Sequence, residues 1–277
     1  MEYTDCISCE SDESSFYKKF KDPFKSYSFN LVKCNNCGLI YLNPRPDSKE
    51  ISKYYNSLYL PHRRDKSPFL FIYSIAQKIT FFWKYKLILK YSPLCKKVLD
   101  YGGGNGSFSN YLNKLNINAV NYDPNINSKL KISDYVKNQK FNVITLWHSL
   151  EHVHDIKSAF KYIPALLEQN GILIIAIPNH DAYERKRYYK DNWIAYDVPR
   201  HLYHFTFDTF QQLIEKHNFH VENYYAMYQD TFFNILMSFK GKNPIKLIYH
   251  IVITLIHIYR NKKLSSSLLF ICKKKYL

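Results

Sequence analysis

The chain has 277 residues, 46 % hydrophobic and 22 % charged, with 39 Lys and Arg against 23 Asp and Glu for a formal net charge of +16. That apolar content is enough for the core of one large domain or two smaller ones and excludes global disorder. Only seven residues are glycine, where average usage of about 7 % would give roughly nineteen, which excludes a collagenous chain, a Gly/Ser linker protein or a sandwich dependent on glycine turns.

The amino terminus is polar and acidic, without a secretory signal, so a cytoplasmic location is expected and a disulfide framework is not. Cys6-x-x-Cys9 and Cys34-x-x-Cys37 are separated by 24 residues. Four thiolates at this spacing are the donor set of a closed tetrahedral structural Zn2+ site, with free thiols as the alternative. Gly38 follows the second knuckle, where a left-handed backbone is often needed; Glu10 holds the same place after the first, a departure from that pattern. Residues 16–32 alternate polar and aromatic positions, so residues 1–46 read as a zinc ribbon. A helical linker is expected over 47–94: a short helix at 47–60, a basic stretch, and a longer helix over 69–91 that is too polar to span a bilayer. Cys95 and Cys272 lie in apolar runs and read as inert core residues.

From 95 to 277 the pattern is α/β. Strands are expected at 97–100, 119–123, 141–146 and 172–177, with helices between them and Gly171 ending the helix before the last of these strands. Short strands alternating with helices predict a doubly wound, Rossmann-like sheet. Four of the seven glycines fall in Asp100-Tyr101-Gly102-Gly103-Gly104-Asn105-Gly106, between a strand and a helix. Backbone there can approach a ligand closely, and Asp123, ending the next strand, can accept bonds from ribose hydroxyls. A nucleoside cofactor is implied; a G-x-G-x-x-G fingerprint and a Walker lysine are not present.

The order of this loop, Asp123-Pro124, FNVITLWHSLEHVHD at 141–155 and GILIIAIPN at 171–179 resembles class I S-adenosylmethionine-dependent methyltransferases over about residues 95–230. The resemblance implies a seven-stranded sheet with the last strand antiparallel and S-adenosyl-L-methionine as cofactor. Asp100, Tyr101, Gly102 and Gly104 would hold its methionine part, Asp123 and Pro124 its ribose, and Trp147 and His148 would complete the site. Only seventeen residues separate Asp123 from Phe141, so the third strand and the adenine loop are abbreviated, with Asp134 as an adenine contact. The double Cys-x-x-Cys head and the run from Pro199 to Thr206 look like a subgroup assigned to bacterial surface-glycan biosynthesis, which implies a sugar or glycan hydroxyl as acceptor. A quinone-like or small aromatic acceptor is the runner-up.

Transfer to a hydroxyl requires alignment and removal of a proton, a task for histidine at neutral pH. His201 or His152 is expected as the base, beside Glu151, with Arg200 or Tyr203 contacting the acceptor. His148, Glu151 and His152 also resemble the metal site of some O-methyltransferases, but the same segment occurs in metal-free relatives and no catalytic divalent metal is expected. Residues 231–264 form a hydrophobic helical insertion before the closing strand at 267–272. Its helix at 245–259 is apolar except for one stripe, Lys246, His250, Thr254, His257 and Asn261. Because 231–277 holds nine basic and no acidic residues, either contact with an anionic membrane or packing, including packing as a homodimer, suits it. A non-catalytic zinc-ribbon protein binding nucleic acid is the reading from another class; the acidic first knuckle argues against it, and nucleic acid is not an expected partner.

Overall fold

The computed structural model describes residues 1–22, 27–55, 68–124, 132, 136 and 139–275, and for 68–76 the backbone only. In chain order the elements are β1 (Ser14–Lys21), β2 (Ser28–Cys34), β3 (Ile40–Leu42), α1 (Pro68–Tyr91), β4 (Lys97–Tyr101), α2 (Ser107–Asn113), β5 (Asn118–Tyr122), β6 (Phe141–Trp147) and α3 (Ile156–Leu166). There follow β7 (Leu167–Pro178), β8 (Tyr203–His204), α4 (Phe207–Lys216), β9 (Phe219–Ala226), α5 (Tyr228–Ser238), α6 (Pro244–Arg260) and β10 (Ser267–Lys274).

The central sheet runs β5-β4-β6-β7-β10-β9. β5, β4, β6 and β7 are parallel, and β10 is antiparallel to both its neighbours. This is the expected Rossmann-like methyltransferase order with its last strand reversed. Six strands, rather than seven, are found among the described residues, and Asp134 lies outside them.

Each face of the sheet is covered, and the strand period assigns the residues to the two faces. Along β7, Leu173, Ile175 and Ile177 enter one apolar cluster while Ile172, Ile174 and Ala176 enter the other, all buried. That is the two-residue alternation of a strand covered on both sides, which makes its sequence read as a continuous apolar run.

Three local readings need correction. β7 begins at Leu167, so Gly171 lies inside a strand: Phe141 pairs with Leu167, the register then shifts, and Val143 pairs with Ile172. A Cβ on Gly171 would come within 2.9 Å of Leu167 Cδ2 and 3.1 Å of the Glu168 backbone. Close approach at this bulge, rather than a helix stop, therefore explains the glycine. Of the helix expected at 47–60, the described residues contain one 3-10 turn, Ile51–Tyr54. The helix expected to run up to Gly171 spans Ile156–Leu166.

The amino-terminal sheet runs β1-β2-β3-β8, so its fourth strand comes from residues 203 and 204. Its apolar residues Phe29, Leu31 and Leu42 join the same cluster as Leu173 and Ile175 of the central sheet. The cysteine knuckles are alike: Glu10 N–H donates to Cys6 C=O at 2.8 Å and Gly38 N–H to Cys34 C=O at 3.1 Å. Both following residues are left-handed, with φ of 65° at Glu10 and 78° at Gly38, so the departure at Glu10 leaves the turn geometry unchanged.

Candidate active site

β4 ends in the glycine loop, and its Asp100 is 1 % exposed. Thr145 on β6 donates its hydroxyl to Asp100 Oδ1 at 2.8 Å. Burial pushes the Asp100 pKa up, against the pull of Lys84 and the Thr145 hydrogen bond. Gly102 and Gly104 are left-handed, with φ of 75° and 56°. The Gly104 N–H donates to Asp123 Oδ2 at 2.9 Å, and Asn121 Nδ2 donates to the Gly104 carbonyl at 2.9 Å. The loop is thus fastened to the end of β5. A Cβ on Gly104 would meet no atom within 4 Å, so the chain leaves a cradle over this glycine.

The other wall comes from the end of β6, α1 and α5. Lys84 Nζ lies 4.3 Å from the Trp147 ring centre, and burial lowers its pKa to about 8 despite Asp100 and Asp230. His148 is left-handed at φ 50°, which turns its ring between two carboxylates. Its Nε2 is 2.7 Å from Asp230 Oδ2 on α5, and its Nδ1 is 3.5 Å from Glu151 Oε1. Burial alone would lower its pKa; the two acids carry it up to about 10 and so favour the protonated ring.

Directly beyond β6, Glu151 is fully buried, and neither carboxylate oxygen has a well-aligned hydrogen bond among the described residues. Despite burial, the surrounding histidines hold its pKa below the usual carboxylate range. His201 Nδ1 lies 2.9 Å from the Ala195 carbonyl, which can only accept. That nitrogen therefore carries the proton, and Nε2 faces Glu151 Oε1 at 4.0 Å and Asp197 Oδ2 at 3.7 Å. His152 Nδ1 is likewise fixed by the Arg200 carbonyl at 3.0 Å, with the Tyr55 hydroxyl 2.9 Å away. Burial, then the proximity of His201, takes its pKa down to about 4. Donor atoms of Glu151, His152 and His201 lie within 4.8 Å of one another, so the trio can move a proton or hold a cation.

The structure thus brings His152, His201 and Glu151 together and sets His148 beside them. It places the other two expected residues differently. Arg200 grips Asp197 through two nitrogens and donates to the Tyr54 carbonyl at 3.1 Å. Tyr203 is buried in β8, its hydroxyl accepting from Arg45 Nη1 at 2.6 Å and donating to the His154 carbonyl at 3.3 Å. Asp197, Asp230 and Lys84 were not singled out from sequence. Asp197 precedes His201 by one helical turn and Lys84 interrupts an apolar helix, both usable signals; Asp230 had none. Pro124 follows the Asp123 carboxylate at the end of β5, and Tyr101 is buried against Tyr122.

Cys6 Sγ lies 3.4 Å from Cys37 Sγ, Cys9 Sγ lies 3.4 Å from Cys34 Sγ, and all four sulfurs lie within 4.8 Å. A zinc–sulfur bond of about 2.3 Å needs tetrahedral edges of about 3.8 Å, so the set fits that ion with small shifts. A separate hollow of about 390 Å³ is lined by Tyr91, Ser92, Asn142 and Gly171 at the amino ends of the strands. Ligands of such sheets bind at the carboxyl ends, where the glycine loop and histidines converge.

A family model described as a methyltransferase domain matches residues 67–224. No curated protein matches the chain. Among solved structures, a Burkholderia thailandensis 1,6-didemethyltoxoflavin-N1-methyltransferase with bound 1,6-didemethyltoxoflavin and S-adenosylhomocysteine is 12 % identical, with a TM-score of 0.51 over 94 % of this chain and 100 % of that one. A Clostridium acetobutylicum S-adenosylmethionine-dependent methyltransferase is 12 % identical, with a TM-score of 0.46 over 82 % and 99 % of the two chains. An Archaeoglobus fulgidus counterpart is 16 % identical, with a TM-score of 0.45 over 70 % and 94 %.

Proposed function

The chain belongs to the methyltransferase-domain family, and from that premise we propose that it moves a methyl group from S-adenosylmethionine to a hydroxyl of a sugar or glycan precursor. The non-catalytic nucleic-acid reading gives way to that membership. The cofactor reading is supported by the loop: open room above Gly104, Asp123 at the end of β5, and an inward Asp100 that stiffens the turn. The similar solved structure that holds S-adenosylhomocysteine points the same way. When bound, the donor supplies a sulfonium methyl with its leaving group already in place.

The rest of the task falls to the chain's own residues. His201 is the proposed base, carried by one observation: its Nε2 is flanked by buried Glu151 at 4.0 Å and by Asp197 at 3.7 Å. Taking a proton there turns a neutral ring into an imidazolium facing two carboxylates, which favours the transfer. His152, lowered to about 4, is a weak base; Tyr55 against it closes the acceptor side. Arg200 acts by positioning Asp197. The four cysteines are proposed to hold a structural zinc that fixes the ribbon over this side, where Phe20 packs 4.8 Å from Tyr196.

The test supplies methyl-labelled S-adenosylmethionine and an extract containing glycan precursors to wild type and to His201→Asn. Label entering a sugar fraction with wild type, and slowed about 10²–10⁴-fold by the substitution, is expected. Label entering only aromatic or amine acceptors would refute the acceptor class, and undiminished turnover by His201→Asn would refute the base.

A further inference from the structure

The two helices before the closing strand are turned inside out. On α6 the middle of the polar stripe faces the protein: His250 is 6 % exposed and Thr254 fully buried, while Lys246 and Asn261 at its two ends are exposed. The His250 ring stacks on Tyr188 at 3.8 Å and 4°, with its Nδ1 3.0 Å from the Tyr189 hydroxyl, and His257 stacks on Tyr183 at 4.0 Å. Many of the apolar residues face outward, although Ile258 is buried and Leu247 and Ile251 pack against the core. Ile248 is 59 % exposed, Val252 47 % and Ile256 42 %, one row at spacing four. The adjoining helix α5 adds Phe232 at 52 %, Phe233 at 49 % and Leu236 at 47 %. A helix facing water is built the other way, and a contiguous apolar face of this kind marks a contact surface.

We propose that this face docks the protein on an anionic lipid bilayer, with α5 and α6 lying in the headgroup region. The charge surrounding it selects that occupant. Lys242 and Lys246 stand exposed at one end of α6, Arg260 and Lys262 at the other, and residues 231–277 contain no Asp or Glu. Cations at both ends of an outward apolar row match phosphate headgroups above acyl chains. No helix among the described residues is long and apolar enough to cross a membrane. The 17 residues of α6 reach about 25 Å, so the helix lies along the surface. The inward end of α5 carries Asp230, the partner of His148, so a docked face sets the active site beside the lipid. The inference is independent of which acceptor is methylated.

The test is co-sedimentation of the 277-residue protein with vesicles of phosphatidylcholine alone or with about 30 % phosphatidylglycerol, at low and high salt. Wild type is expected to pellet with the anionic vesicles at low salt and to be released as salt rises. The triple variant Phe233→Ser/Ile248→Ser/Val252→Ser is expected to lose at least about tenfold in partitioning while keeping its melting temperature and S-adenosylhomocysteine affinity. The charge pair Lys242→Glu/Lys246→Glu should weaken binding at low salt. Absence of anionic-vesicle binding by wild type, or undiminished binding by the triple variant, would overturn the proposal. So would a stable wild-type dimer that the triple variant converts to a monomer, because a second copy would then cover the face.

Discussion

Gly103 and Gly104 are adjacent, yet substitution by alanine should separate folding from cofactor binding. At Gly104 a Cβ meets nothing within 4 Å, so the folding cost is the left-handed backbone alone, about 1 kcal/mol. For a chain of this size that lowers the melting temperature by roughly 2–4 °C. The added methyl instead occupies the cradle above the loop and should weaken cofactor binding at least about tenfold, or about 1.4 kcal/mol. At Gly103 the Cβ would lie 2.2 Å from Asn121 Oδ1 and 2.4 Å from Asp100 Oδ2. Relief moves Asn121 off the Gly104 carbonyl and Asp100 off Thr145, an overpacking and hydrogen-bond loss of about 3 kcal/mol. Thermal unfolding and equilibrium dialysis with labelled S-adenosylmethionine read the two effects separately. If Gly104→Ala bound the donor within twofold of wild type, the open loop would not be the cofactor cradle.

Three further outcomes follow from the same geometry. Burial raises the Glu184 pKa to about 7, although Ser266 and the Trp193 ring N–H both donate to it. Its folded pKa lies above its unfolded value, so this contribution is fully present below about pH 4.5 and lost as pH rises through about 7, on the order of 3 kcal/mol. Glu184→Gln should therefore flatten the fall in melting temperature between pH 5 and 8; an unchanged slope would reject the assignment. Metal analysis should find one zinc per chain, and Cys34→Ser should lose it together with several kcal/mol of ribbon stability, seen as a lower first unfolding transition. Zinc-free wild type with an unaltered melt would contradict the site. Asp123→Ala removes both the expected ribose acceptor and the partner of the Gly104 N–H; donor affinity should fall about tenfold or more, and unchanged dialysis would count against it.

Features carried by short-range pattern were readable in the sequence, whereas those decided by neighbours were not. The strand at 172–177 and the glycine loop announce themselves because a twice-covered strand is uniformly apolar and a close-approach turn needs residues without side chains. The stripe on α6 was also visible, but periodicity is symmetric with respect to inside and outside. Only Tyr183, Tyr188 and Tyr189, about sixty to seventy-five residues earlier in the chain, show that the middle of the polar stripe is buried. β8 is two residues long and has no period of its own; its place beside β3 follows from the fold. The histidines were candidates by residue type and position after a strand. Arg200 and Tyr203 fit that same description, yet their side chains are engaged by Asp197 and by Arg45, partners that chain spacing does not reveal.

The most direct test of the central claim is a calorimetric titration of the 277-residue protein, purified with zinc in the buffer, with S-adenosylhomocysteine. The loop, Asp123 and the fold together predict saturable binding of one molecule per chain, accompanied by a rise in melting temperature. No heat and no thermal shift at millimolar ligand would contradict the methyltransferase account.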